Sequence, residues 1–417
     1  MDLVRRARDR IRAGDGRLVG IDVARCLALI GMMATHILPG YVEGEVTWTQ
    51  QLAGGRASAL FAVLAGVSMA LMTGRRQPVN GARRKLASAG LVVRALFIAM
   101  IGLLIGALPS GLAVILTYYG LLFLMGLPFV GLRARSLAVL SVVWLLVAPV
   151  VSQLVRPHLP EPSLASPSLT ALADPWQLLT ELTFTGYYPT VPWLAYLLAG
   201  MALGRLDLRR LRAAGVLVVG GVGIALTAWG VSRSLTSRPD AASALRATYD
   251  PEFTPTQADL ESVLAHGLYG TTPTESWWWL TVVAPHTATP FDLAQTIGSA
   301  LAVIGLCLLV TRWAPRVFAV VLGAGAMTLT LYTAHVLMRT PQVWPSPEHG
   351  MTVYQTHLLA VLGSGAVFGL LGLRGPLEAV TARLAQTASV VVALVYGAPA
   401  TAGRDDTAES EPSALNR

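Results

Sequence analysis

The sequence predicts an all-α, polytopic transmembrane helix bundle of about ten spans. Three observations carry that prediction. Residues of hydrophobic type make up 54% of the chain and charged residues only 13%. The mean hydropathy is +0.58. Apolar runs of roughly 20 residues recur along the chain, the length that crosses a hydrocarbon core of about 30 Å.

Residues 1–17 form a basic leading segment with six arginines. The run that follows is of full spanning length and lacks a small-residue cleavage site, so no cleavable signal peptide is predicted. Spans are then expected at Leu18–Leu38, Ala57–Thr73, Ser88–Leu108, Gly111–Val130, Ser136–Leu154, Tyr188–Leu206, Ala213–Ser232, Asp292–Val310, Val317–Leu337 and Tyr354–Leu373. Gly102-x3-Gly106 and Gly220-Gly221-x-Gly223 are small-residue patterns that allow helices to pack closely. After Arg374, residues 375–384 read as an interfacial helix, and Ser389–Tyr396 is too short to cross. Residues 18–398 thus form one membrane domain, and 399–417 a polar cytoplasmic tail unable to bury a core. Val155–Tyr187 and residues 233–291 are long outer connections, the second large enough to form a small cap.

With the N-terminus in the cytoplasm, 23 of the 31 Arg and Lys residues fall inside and 5 outside, leaving Arg25, Arg56 and Arg94 within or at the edges of spans. The positive-inside rule reads that asymmetry as orientation, with both termini cytoplasmic. The pI near 9.9 therefore reflects topology and implies no nucleic-acid partner. The composition, with 30 arginines to one lysine, is that of a GC-rich bacterial coding sequence, and the expected location is a bacterial inner membrane. Cys26 and Cys307 fall within spans, so no disulfide framework is indicated.

The first span carries Asp22, Arg25 and His36. Ionisable groups in a span are costly and generally face a bundle interior or a water-filled path. At about 100° per residue all three lie on one helical stripe, over roughly 21 Å of rise. With this orientation all seven histidines fall in outer loops or at outer helix ends, where imidazole can take a proton near neutral pH. Exclusion of arginine from outer loops is the simpler account of the set as a whole, though not of His36. Asp22 and Arg25 read as a structural i,i+3 pair, a lining for a charged substrate, or both.

The stretch Arg17-Leu-Val-Gly-Ile-Asp22-Val-Ala-Arg25-x10-His36 resembles the opening helix of the transmembrane acyltransferase superfamily. That superfamily includes the acyltransferase-3 proteins and the heparan-α-glucosaminide N-acetyltransferase type. The resemblance continues through Gly55-Arg56-Ala-Ser-Ala-Leu-Phe-Ala-Val-Leu-Ala-Gly66, Thr185-Gly-Tyr187-Tyr188-Pro189-x2-Pro192-Trp193, Met327-Thr-Leu-Thr-x2-Thr-x-His335 and Arg374-Gly-Pro-Leu-Glu378. It implies transfer of an acyl group, often acetyl, from cytoplasmic acyl-CoA to a hydroxyl or amine on the far side of the membrane. Carried over by position, His36 matches the catalytic histidine of the acyltransferase-3 motif and Arg25 its arginine. Cys26 stands where the glycine after that arginine is usual. The histidine of the eukaryotic glucosaminide enzymes aligns, through Trp48, with Glu45, which makes Glu45 an orienting group or alternative base.

The expected site follows. Catalytic residues are His36, Asp22, Arg25 and Glu45. Arg56, Tyr187, Trp193 and His335 are acceptor-side candidates, with His335 able to approach His36. Arg75, Arg76, Arg83, Arg84 and Lys85 read first as plain inner-loop topology, and would also suit CoA phosphates. Tyr187, Tyr188, Trp193 and Trp277-Trp278-Trp279 could stack on a sugar or anchor at the membrane edge. His266 and His286 with Glu261 or Asp292 match no standard zinc spacing, so no metal is expected. The co-substrate is acetyl-CoA or another acyl-CoA. The partners are membrane lipids and a glycan or glycolipid acceptor, with a homodimer left open. The alternative is a transporter or lipid flippase using the buried charges as a path. No internal repeat of the kind many transporters show is visible.

Overall fold

The computed structural model describes residues 18–42, 45–249, 260–344 and 350–395. The basic leading segment, the polar tail, His349 and residues 250–259 of the second outer connection lie outside the described residues. What is described is an all-α bundle, with one two-stranded hairpin, β1 (Tyr41–Val42) and β2 (Glu45–Val46), after the first helix.

Helix α1 (Val19–Ile37) opens the bundle and stops at Leu38, which is extended because Pro39 follows it. Thr47 caps the short α2 (Trp48–Ala53), accepting from Gln50 N. The turn into α3 (Arg56–Met72) uses Gly55 at φ +68°, a left-handed conformation open to glycine without strain. Then come α4 (Gly81–Gly106), α5 (Leu116–Gly126), α6 (Ala134–Val155), the short α7 (Pro175–Thr180), α8 (Thr190–Gly204) and α9 (Leu211–Thr236). Helices α10 (Pro239–Ala247) and α11 (Leu260–His266) belong to the second outer connection. The chain finishes with α12 (Pro290–Val310), α13 (Pro315–Val321), α14 (Thr328–Met338), α15 (Met351–Leu371) and α16 (Pro376–Val395).

Among the described residues eight helical stretches are long and apolar enough to cross a membrane, and α5 with its 3-10 extension (Leu116–Phe129) and α8 are shorter apolar helices. Nearly every residue of α8 is buried, and α8 forms the centre of the main core with α1 and α3. By contrast α9 leaves Val216 and Val219 at 70% and 75% exposure, as a lipid-facing wall should. Of the glycine patterns, Gly221 meets Gly298 of α12 so closely that a Cβ would stand 2.5 Å from the Gly298 carbonyl oxygen, whereas Gly220 and Gly223 face open space.

Two expectations are corrected. The span predicted at Val317–Leu337 is not one helix: it breaks after α13 into a 3-10 turn (Gly323–Ala326) before α14 begins. The cause is close approach. A Cβ on Gly325 would lie 1.7 Å from the Asp22 carbonyl oxygen, so the chain passes α1 only as bare backbone. The first turn of α14 is capped from another helix. Glu378 accepts from Leu329 N at 2.7 Å, Thr330 N at 3.2 Å and Thr330 Oγ1 at 2.6 Å, a carboxylate at the positive end of the helix dipole. The second correction is α16, one continuous 20-residue helix rather than an interfacial helix and a short apolar remnant. No helix breaker separates the two halves, and packing along α4, with Ser389 Oγ donating to Leu86 O at 3.1 Å, holds them together.

The two long outer connections are ordered where described. Val155–Tyr187 contains 3-10 turns and α7, and Arg156 ties it to the second connection by donating to Thr272 O. The second connection has a small core of its own, in which Leu245, Trp279, Val282 and Ala284 pack with Tyr249, Leu264 and Trp278. Of the tryptophan triplet, Trp279 is fully buried there, donating from Nε1 to Thr248 Oγ1 at 2.9 Å, while Trp277 is 57% exposed.

Candidate functional site

The polar stripe of α1 becomes a line of contacts. Near its start Arg25 Nη1 donates to Asp22 Oδ1 at 3.0 Å, and Arg25 Nη2 to Ser68 Oγ of α3 at 2.5 Å. At its outer end His36 Nδ1 lies 3.1 Å from His335 Nε2 of α14, with the ring planes 7° apart and the centroids 5.3 Å apart, so the two rings meet edge to edge. His335 Nδ1 lies 2.9 Å from Nδ1 of His357 on α15. The break before α14 sets the register that brings His335 to α1. His335 and His357 are each only 1% exposed.

Two cavities share this stripe. The inner one, of about 380 Å³, has largely apolar walls but includes Arg25, Ser68, Arg94 and Glu378, with Met32 at its outer end. The outer one, of about 1090 Å³, begins one turn later with Thr35 and His36 and extends under the cap past Tyr187, Tyr188, His266 and His286. The segment leading into α5 shows the same succession, with Gly111–Ala113 on the outer cavity and Ile115–Leu116 on the inner. The cavities are thus stacked end to end along α1, with His36 at their junction.

His286 precedes α12 at φ +59°, with its ring 4.8 Å from Tyr187. Burial, reinforced by the proximity of His36, pushes its pKa down to about 4. It therefore faces the outer cavity as a neutral imidazole. Burial also raises the Tyr187 phenol above its ordinary range, keeping it a hydrogen-bond donor near neutral pH.

The other expected residues divide. Tyr187 lines the outer cavity. Trp193 is buried behind Tyr188, 5.1 Å from it, and does not line that cavity. Arg56 opens α3 and donates to Gln51 O at 2.6 Å. Glu45 is exposed in β2, paired with Val42, and outside the cavity lining. In the inner loop Arg76 pairs with Asp207 at 3.5 Å, and Arg84 Nη2 donates to Pro128 O at 2.9 Å. Arg75, Arg83 and Lys85 lie on the same loop and the first turn of α4, just past Met72, which lines the inner cavity. That loop rests on Arg205, whose guanidinium donates to the carbonyls of Ala70, Thr73, Arg75 and Val130 and to Thr73 Oγ1. Cys26 and Cys307 are buried and free.

Sequence reasoning missed the roles of His357, Arg94 and Arg205. His357 stood among the seven outer-side histidines and Arg94 among the three arginines inside spans, and those were the only signals. Among the described residues no group of three or more His, Cys, Asp or Glu side chains is placed to hold a metal ion.

No curated protein matches the chain. Residues 17–229, slightly more than half of it, match the family described as heparan-alpha-glucosaminide N-acetyltransferase, catalytic. The matched segment contains Asp22, Arg25, His36 and the inner basic loop, while His335, His357 and Glu378 lie beyond it. A multi-pass helical bundle with a protonatable side chain between two stacked cavities agrees with that match, and the chain belongs to the heparan-alpha-glucosaminide N-acetyltransferase catalytic-domain family.

Proposed function

We propose that this membrane acetyltransferase-type protein moves an acyl group, acetyl in the simplest case, from cytoplasmic acyl-CoA to a hydroxyl or amine of a glycan or glycolipid on the outer side, at a bacterial inner membrane. The observation that carries the reading is the stacking of two cavities along α1 with His36 between them. Acyl transfer needs both reactants held together and a base for the acceptor's proton. With Nδ1 engaged by His335, His36 offers Nε2 to the acceptor. The inner cavity would take the thioester arm. Arg75, Arg76, Arg83, Arg84 and Lys85 would meet the CoA phosphates, and the Asp22–Arg25 pair would line the approach. Tyr187, Tyr188 and His286 supply aromatic faces and neutral hydrogen-bonding groups suited to a sugar.

The test is thiol release from acetyl-CoA by protein reconstituted in sealed vesicles, with glycan hydroxyl and glycan amine acceptors offered on either side. Transfer should require acetyl-CoA on the inner side and acceptor on the outer side. His36→Gln should lower turnover by roughly 10²–10⁴-fold, the usual worth of a positioned base, with acyl-CoA binding retained. Full activity in His36→Gln together with loss in Glu45→Gln would move the base to the hairpin. No acceptor-dependent thiol release from wild type would overturn the reading.

A further inference from the structure

We propose that His36, His335 and His357 form a proton relay that carries the acceptor's proton, and the positive charge that comes with it, from the outer cavity to the α14–α15 interface. The inference rests on His36 being the base. It follows from counting hydrogens. Each of the two ring–ring contacts, at 3.1 Å and 2.9 Å, is a hydrogen bond only if it holds one hydrogen. Three neutral imidazoles carry three N–H hydrogens, so one remains for the two ends of the chain, His36 Nε2 and His357 Nε2. When His36 Nε2 is bare and able to act as a base, that hydrogen sits on His357 Nε2, a buried atom with no hydrogen-bond partner among the described residues.

The step then balances. The acceptor O–H or N–H bond breaks and its proton joins His36 Nε2. The His36 Nδ1–H proton passes to His335 Nε2, and the His335 Nδ1–H proton passes to His357 Nδ1. His36 and His335 are again neutral, and His357 is the imidazolium, with N–H at both nitrogens. The acceptor's electron pair bonds to the thioester carbonyl carbon, the C–S bond breaks, and the thiolate leaves. Reversing the shift delivers a proton from His36 Nε2 to the sulfur and restores the starting tautomers.

The physical gain lies in where the charge rests. A cation in a dry site is costly on any ring, but once moved to His357 it leaves His36 neutral beside the reacting groups, and the two hydrogen bonds polarise toward it. Arg339, at the C-cap of α14, is a like charge that opposes an imidazolium on any of the three rings, so the shifted state is short-lived and returns its proton, and His286 lines the outer cavity with His36. Neither interrupts the two contacts.

The test is a proton inventory, the rate of single-turnover acyl transfer measured across mixtures of H₂O and D₂O. The wild type should give a curved inventory, because more than one proton moves. His335→Gln and His357→Gln keep hydrogen-bonding groups but cannot pass a proton through a ring. Each should lower kcat about ten- to a hundredfold, within the span open to proton-transfer groups, leave KM for both substrates within about twofold, and give a linear inventory. A linear inventory in the wild type overturns the relay without any variant. A curved inventory and wild-type kcat in both variants, with His36→Gln inactive, also overturns it while leaving His36 as the base. Wild-type turnover in His36→Gln would remove base and relay together.

Discussion

Asp22 and Arg25 are mostly buried, 3.0 Å apart on one turn of α1, and stranding one charge of such a pair costs about 3–5 kcal/mol. Asp22→Asn should therefore lower the thermal midpoint of the purified protein sharply. Asp207, paired with Arg210 and Arg76 at the surface, should tolerate the same change with little effect, as exposed pairs generally do. A similar shift in the two variants would refute the assignment of the first pair to the interior. His286 makes a pH prediction. Its pKa of about 4 when folded lies below the ordinary histidine value near 6.5. The unfolded chain takes up that proton first on acidification, so stability present above about pH 6.5 is lost as pH falls toward 4. Melting curves of His286→Gln between pH 7 and 4.5 should show a shallower decline than wild type, and parallel curves would count against it. The register of Asp22, Arg25 and His36 was legible because helix geometry alone puts them on one stripe. The partnership with His357 was not, since it joins residues 321 positions apart through one intervening helix, α14, and local spacing carries no such information.

Helix α14 depends on a cap supplied by a different helix. Glu378→Ala leaves Leu329 N and Thr330 N without their acceptor, and loss of a capping side chain costs typically about 1 kcal/mol, up to 2. Glu378→Gln keeps an acceptor oxygen and should lose less. Thermal melts of the two variants check the order, and equal midpoints would mean that the contact contributes little. Gly325→Leu should be far worse than Gly363→Leu, because Gly363 faces open space while Gly325 abuts the Asp22 backbone. Folded yield after detergent extraction is the measurement. These features mark the limit of hydropathy. The sequence Leu322-Gly-Ala-Gly-Ala-Met is apolar enough to continue a span, and nothing local shows that α1 needs its backbone bare. Similarly Arg383 interrupts the apolar pattern of residues 376–395, yet in the helix it takes an exposed position and interrupts nothing.

At the scale of the molecule the prediction concerns sidedness. Cys26 and Cys307 are buried, so an introduced thiol at an exposed position reads out alone. Ser237→Cys, beside α10, should react with a membrane-impermeant maleimide from outside, and Arg209→Cys, in the loop before α9, only after permeabilisation. The reverse pattern would invert the bundle and exchange the proposed donor and acceptor sides. The helical architecture was legible almost throughout, because span length is a property of the chain itself. The cap was foreseen only as a length of chain. Its core, built on Trp279 and Leu245, is separate from the core that holds α1, α3 and α8 together. A substitution among Thr248, Tyr249, Tyr269 or Thr274, which line the outer cavity from the cap, can therefore reshape one wall of the chamber without loosening the helices behind His36. On the proposed acyl transfer, the molecule is divided into a part that must stay fixed for chemistry and a part free to drift, and a lineage could exchange one proposed acceptor for another by rewriting the cap alone.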